Sequence, residues 1–408
     1  MGKINYLKLF VFLLLASSLY VGCQKSPVGN ASKVISLTSD WKMQPDNKLG
    51  GIEEKTISEN SFDVQSWYKA EVPGTVLGSL ALNNVIEDPT FGINMQKVDT
   101  VKFKFNQPWW FRTTFKVSAE ELKKDVSLRF NGVCYRADLW VNGKKVVDKN
   151  TFAGTYRQFS FNINQYIQEG ENTVALKVVQ FANGEYSLGF CDWNPLPTDR
   201  SMGIFREVFL EINDGIKIRS PFVYSKVDTS SKSAADLYIQ AEIVNSTDKP
   251  IDGVVRVNYE VGQVDKKVIV PANDTLHCVF TPEEFKQLSV KNVELWWPNG
   301  MGKAKLYNLK TEFISGNKIL DSVEKKYGIR EIRSYLDADK NRAFEINGKF
   351  VLLKGGGWAD DIFLRDTRKS VESQMRYIRH IGLNSIRCEG FWGRSEERRV
   401  GKECRSRW

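Results

Sequence analysis

Residues 137–147 read ADLWVNGKKVV, and this stretch carries the clearest secondary-structure signal in the chain. Every second side chain from position 137 to position 141 is apolar, which is the period-two pattern of a half-buried strand. The dipeptide Asn142-Gly143 follows at once, and it favours a two-residue hairpin because both residues tolerate a positive φ. The stretch therefore predicts an antiparallel hairpin whose return strand covers residues 144–147.

Similar alternation continues along the chain on the C-terminal side of this hairpin. One set of alternating apolar residues lies at 159–163, and another lies at 174–178. Short strands separated by long irregular loops are typical of a β-sandwich or a jelly roll. We assign residues 34–213 to a domain of this kind.

A second β-rich unit follows the dipeptide Asp214-Gly215, which marks a domain boundary. Apolar and polar residues alternate clearly at 237–243 and again at 255–261. About seven short strands in roughly 120 residues fit an immunoglobulin-like sandwich. We assign residues 214–335 to this second domain, which makes the predicted fold multidomain and mainly β.

The pattern changes after residue 335. Asn347-Gly348 predicts another short hairpin, and the continuous apolar run 350–353 predicts a strand of a buried parallel sheet. The run of three glycines and a tryptophan at 355–358 is predicted to be a loop.

A helix is predicted to begin at about Asp366, with Asp366 or Thr367 as its N-cap. Residues 385–388 predict the next short strand. Strand, loop, helix and strand in this order are the opening of a parallel α/β fold.

The N-terminus reads as an export signal. Lys3 and Lys8 precede an apolar run that is shorter than the roughly 20 residues of a membrane-spanning helix, so we assign residues 1–23 to a signal peptide. Val21-Gly22-Cys23 resembles a bacterial lipobox and predicts lipidation of Cys23, with ordinary cleavage near Gly22 as the alternative. Residues 24–33 would form a flexible tether. We expect an exported protein that is lipid-anchored to a bacterial membrane, on the periplasmic or cell-surface side.

Composition excludes several classes of protein. The formal net charge is +9, but two of these charges lie in the leader and three in the last 15 residues, which leaves +4 spread over the remaining chain. No basic stripe with interleaved aromatic residues is present, so no nucleic-acid partner is predicted. With two His residues and no Cys-x-x-Cys motif, no metal site is predicted, and no cofactor. The 11 Trp residues suit either a β-rich core or a sugar-binding surface.

Several short motifs stand out between residues 34 and 393: Val72-Pro73-Gly74-Thr75-Val76-Leu77, Asp88-Pro89-Thr90-Phe91-Gly92-Ile93-Asn94, Trp109-Trp110-Phe111-Arg112, Asp192-Trp193-Asn194-Pro195, Met202-Gly203-Ile204-Phe205-Arg206-Glu207-Val208, Leu295-Trp296-Trp297-Pro298-Asn299-Gly300 and Tyr327-Gly328-Ile329-Arg330. Together they resemble glycoside hydrolase family 2, in the branch of the β-mannosidases and exo-β-D-glucosaminidases. The stretch 353–365 resembles the exo-glucosaminidases more than the mannosidases. The resemblance implies a jelly-roll domain, an immunoglobulin-like sandwich and a (β/α)₈ barrel that begins at about residue 336. It also implies retaining hydrolysis by one Glu acid/base and one Glu nucleophile.

The sequence departs from the family in its catalytic residues. The family's acid/base Glu follows an Asn, yet no Asn-Glu dipeptide occurs between residues 336 and 393. This segment covers one βα unit and a second strand, against roughly 250 residues for a whole barrel. We therefore expect a truncated barrel without either catalytic carboxylate, and no glycosidase activity in the chain as printed.

Residues 394–408 read RSEERRVGKECRSRW and show no periodicity. A solvated basic tail is one interpretation. The string also resembles the translation of a common sequencing-adapter oligonucleotide. We therefore expect it to be an artefact, with the natural reading frame interrupted after about Gly393.

Seven residues are the candidate substrate-binding side chains: Asp192, Trp193, Asn194, Trp358, Asp360, Asp361 and Glu389. The first three belong to a jelly-roll loop that, in similar enzymes, reaches over the barrel mouth, with packing at a domain interface as the alternative. The three later carboxylates follow predicted barrel strands at the face where barrel active sites form, with helix capping or solvated charge as the alternative. Trp358 follows glycines that let the backbone approach closely, and we predict that it lines the pocket.

The predicted function is hydrolysis of β-linked glucosamine or mannose ends of an oligo- or polysaccharide by a retaining exo-glycosidase. A β-mannosidase or a β-galactosidase-like member of the same family is the alternative. A non-catalytic carbohydrate-binding lipoprotein is a hypothesis of a different class. It leaves Leu352 and Ile386 without apolar partners, and several exposed side chains of this kind promote aggregation.

Overall fold

The computed structural model describes residues 32–185, 197–359, 361–365 and 367–388. Two β-sandwiches follow one another along the chain, and a small α/β unit comes after them. The described strands of the first sandwich are β1 (Lys33–Ser36), β2 (Lys42–Pro45), β3 (Tyr68–Lys69), β4 (Trp109–Val117), β5 (Asp125–Phe130), β6 (Arg136–Val141), β7 (Lys144–Val147), β8 (Phe159–Asn162), β9 (Gly170–Val179) and β10 (Val208–Asn213).

These strands form two antiparallel sheets that face each other across one core. One sheet has the order β1-β10-β5-β8, and the other has the order β3-β2-β4-β9-β6-β7. Trp109 and Phe111 on β4 and Leu176 on β9 are fully buried between the sheets. The prediction of a mainly β sandwich for this region is confirmed.

The hairpin predicted at Asn142-Gly143 is also confirmed. β6 and β7 pair in antiparallel fashion, and φ is 48° at Asn142 and 77° at Gly143. The Asn142 side chain accepts a hydrogen bond from the backbone N–H of Thr173 at 2.8 Å and donates one to the carbonyl of Tyr166 at 3.0 Å. The asparagine therefore suits both the left-handed backbone and the hydrogen-bonding needs of the neighbouring segment.

Among its described residues, the first sandwich also carries three short α-helices, which are α1 (Glu54–Ile57), α2 (Val76–Leu82) and α3 (Thr100–Phe103). Thr75 is the N-cap of α2, because its side-chain oxygen accepts a hydrogen bond from the Gly78 N–H at 3.2 Å. Leu77 and Leu80 of this helix are fully buried in the sandwich core. The packing therefore fixes α2 at one end of the jelly roll.

The second sandwich begins directly after Gly215. Its two sheets have the orders β11-β12-β15, with β16 also paired to β12, and β14-β13-β17-β18. The predicted alternation at 237–243 is confirmed, since every second side chain from Leu237 to Ile243 is buried. The described strands are β11 (Ile216–Val227), β12 (Ala234–Asn245), β13 (Ile251–Asn258), β14 (Gln263–Val270), β15 (Asp274–Phe280), β16 (Ser289–Lys291), β17 (Tyr307–Ser315) and β18 (Lys318–Tyr327).

A small α/β unit completes the described chain. Its strands β22 and β23 are parallel, and the helix α4 connects them. Thr367 is the N-cap of α4, as one of the two predicted alternatives, and accepts a hydrogen bond from the Ser370 N–H at 3.2 Å. The elements are β19 (Ile332–Leu336), β20 (Arg342–Ile346), β21 (Lys349–Phe350), β22 (Gly355–Trp358), α4 (Arg368–His380) and β23 (Ser385–Cys388).

The prediction for residues 350–358 is wrong. The apolar run 350–353 is not a buried strand, because the side chains of Phe350 and Leu352 are exposed, and the glycine run that was predicted to be a loop is strand β22. A Cβ on Gly355 would clash with the carbonyl oxygen of Ser385, so the missing side chain lets β22 approach β23. The hydrophobicity of the run thus gave the wrong position for the first parallel strand.

A loop of the second sandwich holds the far end of α4. The side-chain amide of Asn299 donates to the carbonyls of Arg379 and Leu383, both at 3.0 Å. These carbonyls lie at and just beyond the C-terminal turn of α4, where helix carbonyls lack intrahelical partners. None of the helices within the described ranges is long and apolar enough to cross a membrane.

Candidate functional site

Two of the predicted substrate-binding residues belong to the described chain. Trp358 is the last residue of β22, and Asp361 lies in the loop that follows it. The other five predicted residues, and the predicted lipidation site, lie outside the described residues: Asp192, Trp193, Asn194, Asp360, Glu389 and Cys23. The geometry of the site is therefore built from the loop at 361–365 and the surfaces that it contacts.

Trp358 packs at the carboxyl end of β22, beside Cys388 of β23. Its side chain is buried, and its indole N–H donates a hydrogen bond to the side-chain carbonyl of Gln374 on α4. The ring lines a groove of about 470 Å³ between α4 and the parallel strands, together with Tyr377 and Ile378. Its predicted contact with substrate stays a prediction.

Asp361 is held by its own loop. Its carboxylate accepts hydrogen bonds from Arg365 Nε at 3.0 Å and Nη2 at 2.9 Å, and from the Phe363 N–H at 2.8 Å. Burial acts to raise the pKa of Asp361, but the hydrogen bonds from Arg365 and Phe363 outweigh burial and hold the pKa below its ordinary value. The carboxylate is therefore ionised and orders the loop, and its predicted role in sugar binding stays a prediction.

The same loop docks on the jelly roll. Phe363 is 1% exposed and belongs to the core of the first sandwich, and Leu364 packs beside Cys134 and Phe205. A Cβ on Gly78 would lie 2.9 Å from the Cβ of Phe363, so the glycine in α2 makes room for the ring. The loop that follows β22 is thus seated directly against the first turn of α2.

A cavity of about 610 Å³ opens where the loop meets the jelly roll. Its charged lining consists of three carboxylates, Glu71, Glu87 and Asp88, and one guanidinium, Arg365. Because Asp361 already pairs with Arg365, the lining is acidic overall. Within the described ranges, no group of three or more His, Cys, Asp or Glu side chains is placed to hold a metal ion.

The local environments shift the pKa values of Glu71 and Asp88 in opposite directions. Burial raises the pKa of Glu71, and the nearby charge of Asp361 raises it further, while Arg365 and Lys69 oppose the rise. Hydrogen bonds from the side chain and backbone of Thr90 lower the pKa of Asp88. Of these two carboxyl groups, Glu71 is therefore the easier one to protonate.

None of the four charged lining residues was a site candidate from the sequence, although each lies in or beside a motif. Asp88 begins the motif at 88–94, and Glu87 directly precedes it. Arg365 ends the stretch at 353–365, and Glu71 directly precedes Val72. Position beside a motif was the available signal. The sequence did not reveal the docking of loop 361–365 on α2, which brings the four side chains together.

Comparison with known proteins gives a consistent result for both sandwiches. Residues 41–187 match the family model described as glycosyl hydrolase 2 galactose-binding domain-like, and residues 216–330 match the model of glycosyl hydrolases family 2. These two ranges correspond to most of the jelly roll and nearly all of the second sandwich.

Curated relatives and solved structures extend the similarity into the α/β unit. The chain is 32% identical to an exo-β-D-glucosaminidase of Streptomyces avermitilis over 82% of this chain and 37% of that protein. It is 28% identical to a mannosylglycoprotein endo-β-mannosidase of Lilium longiflorum over 85% of this chain and 39% of that protein. The crystal structure of an exo-chitosanase of Amycolatopsis orientalis superposes with a TM-score of 0.81 and 27% identity, covering 90% of this chain and 42% of that one.

The chain therefore spans less than two fifths of the length of these two curated relatives. Within that span, the order of domains and their internal topology agree with the family's architecture. The two family models, the sequence identity and the superposition all lead to one conclusion: this chain belongs to glycoside hydrolase family 2.

Proposed function

We propose that the chain supplies the accessory β domains and part of the substrate pocket of a retaining exo-glycosidase that acts on β-linked glucosamine ends. The observation that carries the proposal is the acidic cavity at the junction of the jelly roll and loop 361–365. A glucosamine end carries an amine that is cationic when protonated, and an acidic cavity attracts such a group more strongly than a neutral sugar. The similarity to an exo-β-D-glucosaminidase supports the same choice of substrate.

In retaining hydrolysis, one carboxylate attacks the anomeric carbon while a second carboxylic acid protonates the leaving oxygen. The two groups sit about 5–5.5 Å apart. We propose that the printed chain contains neither group in this role, since its carboxylates at the junction belong to the jelly roll or are paired with Arg365. The role of the chain is then to bind and orient the sugar, and the purified chain should not hydrolyse a chromogenic β-glucosaminide.

A β-mannoside is the second candidate substrate, and the similarity to an endo-β-mannosidase favours it. A mannose end has no amine, so its recognition would depend on hydrogen bonds to hydroxyls and not on the net charge of the cavity. The two candidates therefore differ in their dependence on the carboxylates.

Binding measurements separate these candidates. Isothermal titration of a glucosamine disaccharide into the chain should show binding that Glu71→Gln weakens by about fivefold, since one carboxylate is lost. Glu169→Gln is the matched control, because Glu169 is an exposed carboxylate in the jelly roll away from the cavity lining. Equal or tighter binding of a mannose disaccharide, unaffected by Glu71→Gln, would favour the β-mannoside.

We also propose that the protein is exported and anchored through a lipid on Cys23, on the evidence of its leader sequence. Growth with a labelled fatty acid should label the wild-type protein, and Cys23→Ala should abolish the label. Equal labelling of the two proteins would contradict the proposed anchor.

A further inference from the structure

The jelly roll contains a fully buried carboxylate that lies outside the cavity lining. Asp199 is 0% exposed, and its Oδ2 accepts a hydrogen bond from the Leu77 N–H at 2.7 Å. Its Oδ1 accepts from the Ser201 N–H at 2.9 Å, and the Thr75 side chain also hydrogen bonds to it. Burying a carboxylate costs free energy unless several hydrogen-bond donors compensate for the lost water. These donors therefore explain how Asp199 is accommodated in the core.

The donors come from two segments that are far apart in sequence. Ser201 is near Asp199 itself, whereas Thr75 and Leu77 belong to the N-cap and first turn of α2. Backbone hydrogen bonds run beside the carboxylate, from the Val76 N–H to the Met202 carbonyl at 2.8 Å and from the Gly74 N–H to the Ile204 carbonyl at 2.9 Å. Asp199 therefore joins the segment 197–205 to the start of α2.

The start of α2 is also the surface on which loop 361–365 is seated. Leu77, which donates to Asp199, precedes Gly78, and Phe363 packs over Gly78 at a distance that leaves no room for a Cβ. Leu364 packs against Phe205, which belongs to the segment that Asp199 joins to α2. Phe363 and Leu364 therefore both contact the place where α2 and the segment 197–205 meet.

We propose that Asp199 is a positioning residue in an internal latch, in which it holds the first turn of α2 against loop 361–365. The latch consists of Asp199, the N-terminus of α2 and the contact between Gly78 and Phe363. It sets the position of Arg365, and with it the charge and width of the acidic cavity. Only this consequence for the cavity rests on the proposed function, since the latch itself is a property of the apo chain.

Hydrogen–deuterium exchange of the chain without sugar tests the latch. In Asp199→Asn, the amide NH₂ cannot accept a hydrogen bond, so at least one donor at this site loses its acceptor. We expect the amides of 361–365 to exchange about tenfold faster, while those of the second sandwich remain unchanged. Asp148→Asn is the matched control, because exposed Asp148 also accepts two backbone N–H bonds, from Asn150 and Thr151, in a turn of the same domain.

A double-mutant cycle distinguishes positioning from a general structural role. Phe363→Ala should by itself raise amide exchange in the loop. Adding Asp199→Asn should change exchange at 361–365 little further, because the contact between Phe363 and Gly78 that links Asp199 to the loop is already lost. Independent, additive effects of the two changes would overturn the latch. So would unchanged loop exchange in Asp199→Asn.

A second variant keeps the proposal testable if Asp199→Asn does not fold. Gly78→Ala leaves Asp199 intact but places a methyl group against Phe363, so the loop amides should exchange faster while the jelly-roll core stays protected. Loop exchange equal to wild type in Gly78→Ala would overturn the proposal. Because no sugar is present in any arm, a failure here is separate from a failure of the proposed glucosamine specificity.

Discussion

The second sandwich and the α/β unit differ in how completely their apolar faces are covered. Phe280 and Phe313 of the sandwich are fully buried, whereas α4 has no buried side chain and Tyr377 on it is 66% exposed. Both regions show the regular apolar spacing that their secondary structure predicts. Periodicity therefore identifies the apolar face of an element, while burial depends on what packs against that face.

The largest expected effect of this difference is on core substitutions. Phe313→Ala should lower the free energy of unfolding of the second sandwich by about 3–5 kcal/mol, because it removes a fully buried ring and leaves a cavity. Phe350→Ala in the α/β unit is the matched change at an exposed ring, and it should stay within about 0.5 kcal/mol of wild type. Denaturant unfolding measures the free energy of unfolding of both variants. Similar losses in the two variants would contradict the expected difference.

A second prediction concerns the buried carboxylate of the jelly roll. Burial raises the pKa of Asp199 to about 6, from an ordinary value of 3.8. A carboxyl with a raised folded pKa contributes its full stabilisation below the unfolded pKa and loses it as the pH rises through the folded pKa. On acidification from above pH 6 towards pH 4, the wild type should therefore gain roughly 1–3 kcal/mol relative to Asp199→Asn.

Thermal unfolding of wild type and Asp199→Asn across this pH window measures the gain. Asp148→Asn is again the control, because hydrogen bonds from Thr151 and Asn150 lower the pKa of Asp148 and give its contribution the opposite sign. Parallel pH curves for wild type and Asp199→Asn would show that the buried carboxyl does not titrate as described.

The third prediction tests why glycines form the first parallel strand. Gly355→Ala should weaken the β22–β23 pair by about 1–3 kcal/mol, since the added Cβ meets the Ser385 backbone. Gly356→Ala is the neighbouring control, because no atom of the described residues lies within 4 Å of its added Cβ. Amide exchange across residues 355–358 and 385–388 measures the pairing of the two strands. Equal exchange in the two variants would contradict the explanation that glycine is needed at 355 for the close approach of the strands.

A smaller effect is expected at the contact between the second sandwich and α4. Asn299→Asp replaces the donor of two hydrogen bonds by an anion beside helix carbonyls, which the helix dipole disfavours. The loss should be about 1–2 kcal/mol in the local stability of α4, and Asn299→Ala should lose less. Exchange of the amides of 376–383 measures both variants, and the reverse order would show that the dipole contributes little here.

The sequence predicted those features that depend on local patterns. The Asn142-Gly143 and Asn347-Gly348 hairpins, the buried alternation at 237–243 and the Thr367 cap all follow from residues close together in the chain. Strand β22 was missed because glycine carries no hydrophobic signal, and its reason lies 30 residues away at Ser385. Sequence periodicity therefore does not predict features that depend on a close approach between distant segments.

The candidate site shows the same limit. Asp361 was predicted as a substrate-binding residue from its place after a strand, and Trp358 from the glycines before it. Both roles stay predictions, and the structure shows Asp361 ordering its own loop. Glu71, Asp88 and Arg365 become one acidic cavity only when Phe363 inserts beside Gly78. Motifs indicated the segments, and tertiary packing decided which side chains meet.

Hydrogen–deuterium exchange of the chain with and without a glucosamine disaccharide tests directly whether the acidic cavity at this junction faces the substrate. We expect the sugar to protect the amides at both 71–88 and 361–365 and to leave the core strands of the second sandwich unchanged. Protection restricted to other regions, or no protection at saturating sugar, would contradict the assignment of the acidic cavity as the substrate-facing surface of this glycoside hydrolase chain.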